Sequence, residues 1–237
     1  MNGELDRLAR DQVRADEITG SRRRSIGLRE SAAAFWRHPS PWLIGVLFVG
    51  AAVARGIVGD WRLSDVWTPL VMLALFPFVE WIIHVCVLHW RPRQLGRLTI
   101  DPLLSRKHRA HHVDPRDVPL VFIPWQVHLW LVPAVVAIGL LAFPRVGLGL
   151  TYLIVVGLQG LGYEWTHYLI HSDYRPRSRL YRAVWRNHRL HHYKNEHYWF
   201  TVTSAGTADR VLGTYPNAQE IGASPTVRDL HAREATA

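Results

Sequence analysis

The chain has 237 residues, the length of one domain, and carries 28 Lys+Arg against 19 Asp+Glu, a formal net charge of +9. A single cysteine, Cys86, excludes an intramolecular disulfide and any zinc site built on paired C-x-x-C motifs. The first forty residues are polar and Arg-rich with no apolar run, so no secretory signal peptide is expected.

In chain order, a basic segment (1–37) precedes four apolar blocks, at about Trp42–Val58, Val66–Leu88, Val121–Phe143 and Val146–Ile170. A helix needs about 20 predominantly apolar residues to cross a bilayer. The last three blocks meet this length; the first is shorter and contains Arg55. Eight arginines precede the first block, seven basic residues lie between the second and third, and ten follow the fourth. Only Arg55 and Arg62 fall between the first and second blocks, and only Arg145 between the third and fourth. The positive-inside rule then predicts cytoplasmic termini, a cytoplasmic central loop and two membrane hairpins. If the chain is bacterial, the membrane is the inner one. This asymmetry accounts for the basic charge without nucleic acid as a partner. Trp42, Trp61, Trp67, Trp81, Trp90, Trp125 and Trp130 lie in or near span ends, as interfacial Trp often does.

Fourteen histidines are present, and ten of them fall in four groups. His84 and His89 close the second block. His108, His111 and His112 form an H-x-x-H-H box in the central loop. His167 and His171 close the fourth block, and His188, His191 and His192 form a second H-x-x-H-H box beyond it. All four groups fall on the same predicted membrane face. On a helix, residues i, i+3 and i+4 share a face, so each box is expected to project three imidazoles in one direction. His84 and His89 are five apart, about 140° round an ideal α-helix, and need a helix end, a kink or two different metals. Imidazole is the commonest protein metal ligand, and ten are too many for one ion, which takes about six at most. Two ions with four or five ligands each is the economical reading. His38, His128 and His231 read as interfacial or structural, and His197 as either a surface residue or one just behind the ligands, the latter preferred.

The two halves echo each other. Glu80-Trp81 precedes His84, Glu164-Trp165 precedes His167, and an H-x-x-H-H box follows each. An acid inside an apolar span is a functional hypothesis by default. Glu80, Glu164 and, more weakly, Asp173 are candidates to accept an N–H from a ligating imidazole. The bland alternative is an interhelical hydrogen bond.

The four-box series resembles the fatty acid hydroxylase / sterol desaturase superfamily. The first box in its setting, Phe78 to Trp90, and the run from His197 to Thr214 with its D-x-x-x-G-T ending resemble most the fatty acid 2-hydroxylase branch. The resemblance implies an all-α integral membrane fold, with four transmembrane helices in two hairpins and a cytoplasmic helical cap carrying a dinuclear metal site. It implies domain bounds of 38–216, with a tail at 217–237, and the ten box histidines as ligands to two iron ions, with zinc in some isolated proteins. It further implies O2-dependent oxidation of a C–H bond in a membrane lipid, with a fatty acyl chain first and a sterol, hopanoid or carotenoid second. No cytochrome b5 domain is evident, so the electron donor is expected to be a separate ferredoxin or cytochrome b5. A membrane metal carrier is the rival from another class. Transport favours ligands near the bilayer midplane, whereas these gather at one face.

Overall fold

The computed structural model describes Ile18 and residues 25–232. The Arg22-Arg23-Arg24 run, the rest of the N-terminal basic stretch and residues 233–237 lie outside the described residues. The helix α1 (Leu28–Phe35), the first whose bounds fall among the described residues, does not behave as part of a separate basic segment. Its Phe35 is buried with Val121, Phe122, Tyr168 and Leu169, and Ile26 bridges to Tyr174. The expected boundary at residue 37 is therefore not a boundary in the packing, because an aromatic at the end of α1 is worth more in the core than in water.

Pro39 and Gly59 bracket the first long helix, α2 (Pro39–Val58). A proline at N1 loses no hydrogen bond and presets the helical φ. Gly59, at φ +65° and ψ −123°, takes a backbone conformation open chiefly to glycine, which stops the helix, and its N–H closes on the Arg55 carbonyl. The face Val46, Val49, Val53 and Ile57 is exposed and apolar, as a lipid-facing stripe must be. The second crossing is composite. A 3₁₀ turn (Leu63–Val66) runs into α3 (Trp67–Ile83), which runs into a π turn (His84–Leu88). A two-stranded hairpin follows, β1 (Arg93–Leu95) antiparallel to β2 (Leu98–Ile100). Then come α4 (Leu103–Val113), short α5 (Val118–Val121), α6 (Trp125–Leu141), α7 (Val146–His171), α8 (Arg179–Tyr193) and α9 (Thr207–Val211).

Four helical stretches, Pro39–Val58, Leu63–Leu88, Val118–Leu141 and Val146–His171, are long and apolar enough to cross a membrane. They match the expected blocks with ends moved by a few residues, and the third is interrupted at Phe122–Pro124, where Pro124 cannot continue α5. The chain is a multi-pass membrane protein. The spans are joined as two hairpins, but α2 packs chiefly against α7 rather than α3, and α7 also packs on α6 and α3. The contact of α6 with α7 depends on the absence of side chains. A Cβ on Gly149 would lie 1.7 Å from the Gly139 carbonyl oxygen. Small residues at such crossings let backbones approach, which supplies packing that lipid cannot.

At the end of α7 away from the histidines, Arg55 is fully buried and pairs with Asp65 at 3.0 Å. Arg145 pairs with Asp60 at 2.7 Å and also with Asp65. Two arginines and two aspartates thus neutralise each other where α2, the 3₁₀ turn and the start of α7 meet.

Candidate metal centre

The site is assembled at the other end of α7. His167 and His171 occupy its last turns, α4 carries His108, His111 and His112, and α8 carries His188, His191 and His192. His84 and His89 flank the π turn. Its i→i+5 pattern, with the His89 N–H on the His84 carbonyl at 3.0 Å, stacks residues five apart one above another. That resolves the pair whose spacing does not suit an α-helix, and their ring centroids are 5.0 Å apart.

The ten rings fall into two groups of five. His84, His89, His108, His112 and His191 form one; His111, His167, His171, His188 and His192 form the other. Within each group one nitrogen per ring lies within 4.8 Å of all the others. Contrary to the expectation from helical spacing, the three imidazoles of each box do not point one way. His108 and His112, one turn apart on α4, join the first group, while His111 turns to the second. On α8 the assignment is mirrored: His188 and His192 join the second group and His191 crosses to the first. Each half of the chain gives four histidines to one group and one to the other.

The imidazole nitrogens test whether these groups suit metal ions. His84 Nε2 faces His108 Nε2 at 3.1 Å, His111 Nε2 faces His171 Nε2 at 3.3 Å, and His188 Nε2 faces His192 Nε2 at 3.0 Å. The Nε2 atoms of His89, His112, His167 and His191 are buried with no hydrogen-bond partner. All ten Nε2 atoms therefore face only one another or nothing. Buried polar atoms are otherwise almost always paired, and a cation among the lone pairs would satisfy them. Outside the spans, burial first and neighbouring imidazoles second hold His89, His108, His111, His188 and His192 well below the usual histidine range. Burial likewise lowers His112, and brings His191 to about 4. Neutral imidazole is the form that binds metal.

Backbone carbonyls fix three of the rings. His112 Nδ1 donates to the Val227 carbonyl at 3.0 Å, His167 Nδ1 to Val121 at 2.9 Å, and His191 Nδ1 to Tyr198 at 2.8 Å. A carbonyl only accepts, so Nδ1 carries the proton and Nε2 turns its lone pair inward. The carboxylates expected in this role are engaged elsewhere. Glu80 accepts from the Thr203 N–H at 3.3 Å. Glu164 accepts from Ser40 Oγ at 2.6 Å and the Ile123 N–H at 3.0 Å. Asp173 pairs with Arg116 at 2.7 Å. Glu80 and Glu164 each brace a neighbouring segment through one carboxyl oxygen, the other being buried without a partner among the described residues.

The C-terminal third closes over the first group. Asp209 is fully buried and accepts from the N–H groups of Phe200 (2.8 Å) and Thr201 (3.0 Å) and from the hydroxyls of Thr201 and Thr214. This holds the Tyr198 carbonyl on His191, and sets the Phe200 ring 5.4, 5.5 and 5.2 Å from those of His84, His89 and His191. Residues 217–232 are not a separate tail. Val227 is fully buried, and His231 Nε2 donates to the His89 carbonyl at 3.0 Å. His128 is structural, at 2.8 Å from Ser40 Oγ, and His38 stacks on Phe122. His197 is not behind the ligands: its side chain is 69% exposed and lies 3.4 Å from Glu196. The positioning carbonyls at Val121, Tyr198 and Val227 leave no trace in the sequence, since any residue supplies a carbonyl. Asp209 left one, in the D-x-x-x-G-T pattern.

The fatty acid hydroxylase family model matches residues 69–214, a stretch that holds all ten histidines. A solved structure described as full-length Scs7p, with only the hydroxylase domain visible, is similar in fold, with a TM-score of 0.62. It is 19% identical in sequence, over 78% of this chain and 70% of that one. A comparison with curated proteins gives no match.

Proposed function

The chain belongs to the fatty acid hydroxylase family, and from that membership we propose that it is a non-haem di-iron enzyme that uses O2 to hydroxylate a membrane lipid, a fatty acyl chain first. The observation that carries the metal reading is the set of ten buried Nε2 atoms that meet only each other. In this reading His84, His89, His108, His112 and His191 hold one ion, and His111, His167, His171, His188 and His192 hold the other. An all-imidazole set suits iron and also admits zinc. The bound metal pair would supply the O2 activation and C–H oxidation that no side chain can perform.

The protein's own groups do the rest. Carbonyls of Val121, Tyr198 and Val227 orient three rings. Phe200 and the C-terminal segment shield the first group from water. The acyl chain enters from the bilayer between the spans, and electrons come from a separate ferredoxin or cytochrome b5. The arginine distribution supports cytoplasmic termini and a cytoplasmic metal face.

The test is metal analysis of purified protein followed by turnover with a reduced ferredoxin or cytochrome b5 on a panel of acyl lipids. About two irons per chain and one oxygenated acyl product are expected. A protein that binds no metal tightly would overturn the metal reading. One that oxidises only carotenoids would overturn the acyl assignment.

A further inference from the structure

The hairpin between the second span and α4 has two unlike faces. Cross-strand partners share a face, and alternate residues switch it. The pairs Arg93–Ile100 and Leu95–Leu98 lie on one side, and Gln94–Thr99 on the other. Gln94 and Thr99 satisfy each other, at 2.8 and 3.1 Å. The apolar side is unsatisfied: Leu95 is 67% exposed, Leu98 63% and Ile100 36%. A two-stranded hairpin is marginal in water, and one that offers leucines to it is more so.

Its base is nonetheless held. Arg109 donates to the Trp90 carbonyl at 3.2 Å and to both oxygens of Asp101, at 2.8 and 2.7 Å, so one guanidinium closes the two ends. Trp90 Nε1 donates to the Ile100 carbonyl, and the Arg93 guanidinium sits 4.6 Å over the Trp90 ring. The apolar face is thus a fixed projection of the fold.

We propose that this hairpin lays the Leu95–Leu98–Ile100 face on the headgroup layer of an anionic leaflet, at the histidine end of the bundle. Three features select that occupant. The hairpin continues directly from a membrane span: Leu88 ends the π turn, and five residues reach at most about 18 Å to Arg93. Trp90 lies between them, where an interfacial aromatic belongs. Arg91, Arg93 and Arg97 give the segment 90–100 three positive charges and no negative one. Basic residues beside exposed leucines at a span end suit acidic lipid headgroups above acyl chains. The inference rests on the multi-pass reading alone and is independent of which metal the histidines hold.

The test places a nitroxide on the full-length chain in a Cys86→Ser background, reconstituted in nanodiscs of phosphatidylcholine with and without phosphatidylglycerol. Labels at Leu95→Cys and Leu98→Cys are expected to meet O2 more readily than a water-soluble nickel chelate, and a label at Gln94→Cys to show the reverse. Using two positions on the apolar face guards against one that disturbs the turn. The contrast should deepen with phosphatidylglycerol; equal depth in both discs overturns the anionic part. Equal aqueous access on both faces overturns the anchor. So does a label at 98 that stays aqueous until a reduced ferredoxin or cytochrome b5 protects it, which would make the face a protein-docking surface.

Discussion

Replacing Asp209 with alanine should empty the first histidine group while leaving the second intact. The carboxylate is fully buried and accepts four hydrogen bonds, two from backbone N–H groups and two from threonine hydroxyls. Bonds to a charged acceptor contribute about 1.5–3 kcal/mol each, and stranding two buried N–H donors costs about 1–3 kcal/mol apiece. These terms overlap, so the net loss is about 4 kcal/mol, a large share of the stability of an ordinary domain. It falls on Trp199–Val202, the segment that carries Phe200 over His84, His89 and His191 and follows the Tyr198 carbonyl on His191 Nδ1. Metal per chain, measured after iron loading, should fall from about two to about one, with a lower unfolding temperature. Asp209→Asn keeps an accepting oxygen but turns an NH2 towards donors, and should lie between parent and alanine variant. Parental metal content and unfolding temperature in Asp209→Ala would refute the reasoning.

Four further outcomes follow from the same structure. Gly149→Val puts a branched side chain where even a Cβ would meet the Gly139 carbonyl at 1.7 Å, and should cost about 3 kcal/mol of resistance to unfolding in SDS, against little effect at Gly162, where nothing lies nearby. Arg55→Met leaves Asp65 with Arg145 and the Arg62 N–H and should cost about 3 kcal/mol in the same assay; an unchanged midpoint would make the buried pair dispensable. Burial first holds His191 at about 4, below its unfolded value of about 6.5, so as pH falls the unfolded chain takes up the proton first. Metal-free protein should lose stability progressively from about pH 6.5 to about 4, whereas a flat unfolding temperature across that window would contradict the burial. Cys86→Ser, at an exposed position within the π turn, should leave metal content unchanged.

The spans and boxes were legible because both are periodic. Long apolar runs and i, i+3, i+4 spacings survive translation into structure without knowledge of the rest of the chain. The division of each box was not, since His111 and His112 are neighbours on α4 and about 100° apart, and only the position of α8 decides which ring turns which way. The π turn was similarly hidden: the five-residue spacing of His84 and His89 announces an irregularity, and tertiary context selects which one. Asp209 and the burial of Val227 depend on a C-terminal segment of short elements with little periodicity. Glu80 and Glu164 are legible as buried acids from their place inside apolar runs. Their partners are not, because nothing in the sequence shows that Ser40 and Thr203 reach them first.

The crossed donation of His111 and His191 makes the two clusters hostages of each other. Were α4 lifted away, the first cluster would keep three rings and the second four; were α8 lifted, the counts would reverse. A hinge that moves α4 or α8 cannot open one cluster and spare its neighbour. The chain therefore cannot be cut into two working halves despite its echoing sequence. An intermediate reached by lifting either of these helices is short of a ring on both sides of the seam.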